Sequence, residues 1–183
     1  KLENIFANIV VFVTAGVALS LIPAIGQGEV TIVEWLPGLV TLTAFKDGLS
    51  VFLVLVATCI GALIALYSTE YFAEDKDLLR YWAMFSLFIG GMVGLALTSN
   101  LLFLYVFWEV VGLTSYALIG YYYTDPKGAK AGLKAFLTTR VGDVGLLVGV
   151  LALYFGTEPH SFNFFEIAEA VAAGQVSASV LTV

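Results

Sequence analysis

Three charged residues stand where charge is expensive: Glu109, Arg140 and Asp143 all lie inside long apolar stretches. Glu109 is the only charge in residues 101–123, LLFLYVFWEVVGLTSYALIGYYY. An ionised carboxylate in such a run costs several kcal/mol unless it is paired, hydrated or protonated. Intramembrane carboxylates usually belong to ion or proton paths. Arg140 and Asp143 are i, i+3 neighbours and can pair on one helix face; such a pair can equally be a neutralised structural clamp. Glu109 has no partner at i±3 or i±4, where Tyr105, Val106, Gly112 and Leu113 stand. Its partner must come from another helix or from water; otherwise the acid is protonated. Gly112, one turn along, leaves space beside it. Thr138 and Thr139 either hydrate the same region or bond back to their own helix. Lys134 is a secondary candidate, and Trp108 and Tyr116 read as packing.

These residues need elements to hold them, and composition says which kind. The 183 residues are 60% hydrophobic and 12% charged, with a mean hydropathy of +0.97. A soluble domain carries about twice that charge. Several apolar runs approach or exceed the length of a membrane span, and the alternating segments of a barrel are missing from them. The fold class is therefore an all-α polytopic membrane protein lying in a lipid bilayer. The net charge of −6 offers no basic patch for nucleic acid. Cys59 is alone and mid-span, expected as a small buried apolar residue, so no cysteine cluster can hold a metal. His160 falls outside the spans and reads as a surface histidine. Neither a nucleophile–base–orienter set nor a phosphate-binding glycine loop is present.

Taken in order, spans are predicted at about 4–25, 49–68, 81–98, 101–123 and 131–155, within a single membrane domain, 1–183. The apolar start could imitate a signal peptide but lacks a cleavage site before a soluble domain. Residues 26–48 hold two β-branched and aromatic runs around Pro37-Gly38, which predicts a surface β-hairpin or flap. Ala57, Gly61 and Ala65, and then Gly90 and Gly94, are spaced for close helix packing. Gly142, Gly145 and Gly149 along the fifth span are also expected to serve packing. Ser99-Asn100 makes a minimal turn. Asp125 can cap the helix after the TDPKG break. Residues 162–172 predict an amphipathic surface helix, and 176–183 look like the start of a sixth span. Without an initiator Met, the chain is expected to be incomplete at its front.

The loops at 69–80 and 124–130 carry Lys76, Arg80, Lys127 and Lys130, with Lys1 on the same side and Lys134 close to it, whereas Lys46 alone falls on the opposite side. The positive-inside rule then puts those loops on the cytoplasmic, matrix or stromal side. At the rise of an α-helix, Glu109 lies roughly 12 Å into a hydrocarbon layer of about 30 Å. By the same rise Arg140 lies roughly 13 Å and Asp143 roughly 18 Å in from the other side. The three can share a layer near mid-membrane.

Residues 105–143, YVFWEVVGLTSYALIGYYYTDPKGAKAGLKAFLTTRVGD, closely resemble one family: the antiporter-like "L" or subunit 5 membrane subunit of respiratory complex I. Its relatives are F420H2 dehydrogenase, membrane-bound hydrogenases and multisubunit Na+/H+ antiporters. The resemblance rests on FWE at 107–109, SYALIGYYYTDPK at 115–127, KAF at 134–136 and TRVGD at 139–143; FKDGLS at 45–50 and SFNFFEI at 161–167 are weaker. TRVGD looks more like the complex I and F420H2 dehydrogenase branch. The resemblance implies the N-terminal part of an antiporter-like helix bundle that translocates protons in an NADH or F420H2 quinone oxidoreductase. Other membrane subunits would be its partners, in a prokaryotic plasma membrane or an organellar energy-converting membrane. Glu109, on the fourth span here, would be the key carboxylate of the family's fifth helix, working with a lysine of a later helix beyond this chain, with Arg140 and Asp143 tuning it. It further implies that flavin, iron–sulfur clusters and quinone belong to partner subunits. Two alternatives stand beside this one: a subunit of a Na+/H+ antiporter or membrane-bound hydrogenase, with Na+ as an alternative to protons, and a non-pumping structural scaffold.

Overall fold

The structure is a computed structural model that describes residues 2–36, 40–75, 77–158, 160–176 and 180. Five helices long and apolar enough to cross a membrane account for most of it. They are α1 (Leu2–Ser20), α2 (Gly48–Tyr71), α3 (Leu78–Leu97), α4 (Leu101–Ile119) and α5 (Pro126–Gly156). Between α1 and α2 come a 3-10 turn at Ile22–Ala24 and an antiparallel hairpin, β1 (Glu29–Leu36) and β2 (Val40–Phe45). A short surface helix, α6 (Phe164–Ala172), follows α5.

Local chemistry sets the boundaries. Pro23 cannot continue a helix, so α1 gives way to the 3-10 turn before the predicted end at 25. Asp47 caps α2 by accepting from the Ser50 N–H at 2.7 Å, and the Ser50 hydroxyl, together with that N–H, holds its carboxyl below the usual carboxylate range. Asn100 caps α4 by accepting from Leu102 and Phe103 N–H. Asp125 caps α5, with Pro126 in its first turn. The fifth helix therefore starts at Pro126, five residues before the predicted 131. The fourth stops at Ile119 rather than running to 123.

That early stop has a packing cause. A Cβ on Gly132 would lie 3.1 Å from the Gly120 N and the Tyr116 O. The two backbones touch there, with Gly128 against Tyr122 O at 3.2 Å just beyond. Further along, Tyr116 meets Phe136. The contact pairs descend on α4 as they ascend on α5, so the helices run antiparallel. α3 and α4 pack antiparallel in the same way, Gly94 against the Phe107 ring and Gly91 against Val110 and Val111.

Some expected contacts differ. Gly91, not Gly90, partners Gly94 against α4, because an added Cβ at Gly90 would meet nothing within 4 Å. Gly142, Gly145 and Gly149 likewise face open space in this chain and do not serve internal packing. Cys59 is exposed on α2, not buried. It sits beside the buried stripe of Val51, Val54, Thr58, Gly61, Ala62, Ala65 and Ser68. The predicted sixth span at 176–183 lies, apart from Val176 and Val180, outside the described residues.

One core joins α1, α2 and α3 through Ala7, Val11, Ala62, Ala65, Trp82, Phe85 and Ile89. Two polar pairs lie within it: Trp82 Nε1 donates to Asn4 Oδ1 at 2.8 Å, and Ser68 and Tyr81 share a hydrogen bond of 2.6 Å. Tyr121, from the α4–α5 turn, closes this core at one end. Arg80 lies over the Tyr123 ring at 4.6 Å, so the α2–α3 and α4–α5 turns share that end. At the opposite end the hairpin, the Ser99-Asn100 turn and α6 meet. Ser99 Oγ donates to Glu29 Oε1 and contacts Thr43 Oγ1 at 2.7 Å. Asn163 Nδ2 donates to the same Glu29 oxygen at 2.8 Å while its own side chain caps α6. Phe45 against Phe165 and Tyr154 against Phe162 add apolar contact.

Candidate functional site

The antiparallel crossing of α4 and α5 brings the three sequence-predicted charges together. The pairs Gly120 with Gly132, Tyr116 with Phe136 and Glu109 with Arg140 mark successive levels of one interface. At the Glu109 level the Arg140 guanidinium reaches across, and its Nη1 donates to Glu109 Oε2. Glu109 is thus paired within this chain, by a residue of the neighbouring helix that no i±3 or i±4 spacing on α4 could supply.

Arg140 also faces Asp143 on its own helix, Nε to Oδ2 at 3.9 Å. It thus lies between two carboxylates, one from each helix, and its guanidinium rests 4.4 Å over the Phe136 ring. A planar guanidinium suits this position because it has donors on several edges and stacks on aromatic faces. Asp143 is buried, at 4% exposure. Its other oxygen, Oδ1, accepts from Trp108 Nε1 at 2.8 Å. The other oxygen of Glu109, Oε1, is buried and meets no donor among the described residues. Tyr105, one turn earlier on α4, brings its hydroxyl toward the Glu109 carboxylate. A cavity of about 170 Å³ opens beside the group, lined by Trp108, Gly112, Tyr116, Phe136, Thr139 and Asp143. It has room for several waters, each of which takes about 30 Å³ of liquid volume.

The secondary candidates separate. Lys134 is exposed with Leu133, Leu137 and Val141 on another side of α5, and it does not join the carboxylates. The Thr138 and Thr139 hydroxyls bond back to Lys134 O at 2.8 Å and Phe136 O at 3.0 Å. The choice left open for them falls to back-bonding, although Thr139 still borders the cavity. Gly112 does open space, as expected. Trp108 was read as packing, yet it is half-exposed and hydrogen-bonded to Asp143. The available signal was that an indole N–H deep in a span must find an acceptor. Among the described residues, no group of three or more His, Cys, Asp or Glu side chains could hold a metal ion.

This arrangement can hold an ionised Glu109 at depth, set Asp143 against it as a competitor for the guanidinium, and admit water on the Asp143 side. Known proteins share both sequence and fold with the chain. Residues 98–183 match the family described as NADH:quinone oxidoreductase/Mrp antiporter, TM. Residues 39–82 match the NADH-ubiquinone oxidoreductase (complex I) chain 5 N-terminus. The chloroplast NAD(P)H-quinone oxidoreductase subunit 5 of Ranunculus macranthus is 44% identical over 126 residues, 68% of this chain and 17% of that protein. NAD(P)H-quinone oxidoreductase chain 5 of a Synechocystis strain is 43% identical over 136 residues, 74% of this chain and 20% of that one. The chain thus spans about a fifth or less of the length of these relatives.

A chain of the archaeal membrane-bound sulfane sulfur reductase shares the fold at a TM-score of 0.82 and 21% identity, over 97% of this chain and 36% of that chain. A chain of the Mrp complex from Dietzia does so at 0.69 and 24%, over 90% and 20%. The similarity covers both the hairpin segment and the paired helices that carry the buried charges. The chain belongs to the antiporter-like membrane-subunit family of complex I, of the subunit 5 type.

Proposed function

We propose that this chain is part of a proton-translocating membrane-arm subunit of an NAD(P)H or F420H2 quinone oxidoreductase complex. The observation that supports the reading best is one guanidinium held between the half-buried Glu109 carboxylate and the buried Asp143 carboxylate, beside a small cavity, on two membrane helices. Glu109 is the protonatable group. While Arg140 holds Oε2, the ionised form is paired. When the guanidinium turns to Asp143, Glu109 loses its counter-ion and burial favours the neutral acid. A proton then adds to the carboxylate, and Oε1 is the oxygen without a donor. Return of Arg140 expels the proton to water or to a further group of the complex. Each cycle takes one proton in and lets one out, with no other bond made or broken.

In this reading the Lys- and Arg-rich loops at 69–80 and 124–130 face the cytoplasm, matrix or stroma. Flavin, iron–sulfur clusters and quinone sit on partner subunits, and the other membrane subunits complete the path. The experiment is Glu109→Gln in the intact complex, reconstituted in vesicles. Electron transfer should persist in the presence of uncoupler, while the proton-to-electron ratio falls by this subunit's share. A wild-type ratio would refute the proposal and favour a scaffold.

A second reading, a Na+/H+ antiporter subunit, draws on the Mrp antiporters named in the matching family description. It predicts cation exchange without any redox partner.

A further inference from the structure

The Asp143–Trp108 contact has no place in the scheme above, although Asp143 is the side chain that competes for Arg140. The two Asp143 oxygens have different partners: Oδ2 faces Arg140 Nε at 3.9 Å, and Oδ1 accepts from the indole at 2.8 Å. The indole N–H can only donate. A donor aimed at a carboxylate bonds it more strongly than the neutral acid. The contact also crosses from α4 to α5, next to the Glu109–Arg140 contact, so it fixes where Asp143 stands relative to the guanidinium.

We infer that Trp108 is a positioning residue of the proton switch: its indole N–H holds Asp143 in place as the alternative partner of Arg140. The inference rests on the proposed function of Glu109. Trp108 touches neither the Glu109 carboxylate nor the guanidinium in any hydrogen bond described, and acts through Asp143. Its ring is 45% exposed and belongs to neither core cluster, so trimming it removes a donor without opening a core. The charged and titratable groups around Asp143 are Arg140 on α5, and Glu109, Tyr105 and Tyr116 on α4. α3, packed behind α4, carries one charge, Arg80, in its first turn and far from this layer.

The test uses the intact complex in vesicles, with the proton-to-electron ratio followed across pH. Trp108→Phe keeps an aromatic ring and removes the donor. It should assemble, keep uncoupled electron transfer, and lose much of this subunit's proton share. The pH dependence of pumping should change, because the donor that fixes where Asp143 stands is gone. Trp108→His, which restores a ring N–H, should recover part of the loss. In an Asp143→Asn background Trp108→Phe should add nothing, since the residue acts through Asp143. A wild-type ratio and pH profile in Trp108→Phe would overturn the inference. So would an undiminished effect in the Asp143→Asn background, or failure of Trp108→Phe to assemble, which would make the contact structural. Glu109→Gln run alongside separates the two ideas. If it pumps normally, the function itself is wrong; if it is dead while Trp108→Phe is normal, only this role is wrong.

Discussion

A single guanidinium decides how the buried charge is tolerated. Arg140 serves Glu109 on α4 and Asp143 on α5, and Phe136 supports it from below. A lysine in its place would be a compact ammonium that addresses one carboxylate at a time. Arg140→Lys should therefore assemble but pump poorly, with a proton-to-electron ratio below wild type in vesicles. Arg140→Ala should also lower stability, on the order of 1–3 kcal/mol, because it leaves a buried acceptor unmatched. Thermal unfolding of the two variant complexes in detergent distinguishes the cases. Equal melting temperatures for Arg140→Ala and wild type would show that the pair contributes little to the fold. Glu109 was legible as a costly side chain from its run alone. Its partner was not, because sequence spacing reports only neighbours on the same helix.

At the scale of elements, close backbone approach aligns the charges. Gly120, Gly128 and Gly132 let the end of α4 and the start of α5 touch. From that contact the two helices run side by side to the Glu109–Arg140 level. Gly132→Leu would place a side chain where the Gly120 N and the Tyr116 O already stand 3.1 Å from a Cβ. Overpacking of this kind costs typically about 1–3 kcal/mol. The expected outcome is a lower melting temperature together with impaired pumping, although the substitution lies two turns from Arg140. Normal pumping in Gly132→Leu would show that the charged layer is aligned by something else. The small-residue spacing was visible in the chain, but spacing alone pointed to Gly90 where the contact uses Gly91. Which glycine meets a neighbour depends on how each helix is rotated about its axis, and the five spans are too evenly apolar for hydropathy to specify that.

Across the whole molecule, polarity is sorted to the two ends and the middle. One end gathers the Arg80 and Tyr123 contact. The other joins the hairpin, the Ser99-Asn100 turn and α6 around Glu29. Glu29→Ala removes the acceptor shared by Ser99 and Asn163, and should loosen both the hairpin and α6. The cost should be on the order of 1–3 kcal/mol, read as faster hydrogen exchange over residues 29–45 and 164–172 in the full complex. Unchanged exchange there would show that the apolar contacts of Phe45 with Phe165 and of Tyr154 with Phe162 suffice. α4 and α5, which carry the charged layer, are the least buried of the five spanning helices within this chain. Their open faces include Val141, Val144 and Val148.

The amino-acid sequence by itself determined that five apolar helices form, that a hairpin and a surface helix lie between and after them, and that three charges sit at membrane depth. Those features follow from hydropathy, run length, turn chemistry and capping residues such as Asp47, Asn100 and Asp125, all of which act locally. Motif resemblance identified the family from the same residues. Only the tertiary structure decided that Arg140 faces Glu109 as well as Asp143, that Trp108 holds Asp143, and that Lys134 turns away. Those outcomes depend on which face each helix presents at an antiparallel crossing. The crossing is set by backbone contact at Gly120 and Gly132, about eleven residues along α4 from the charge it aligns, a rise of roughly 16 Å.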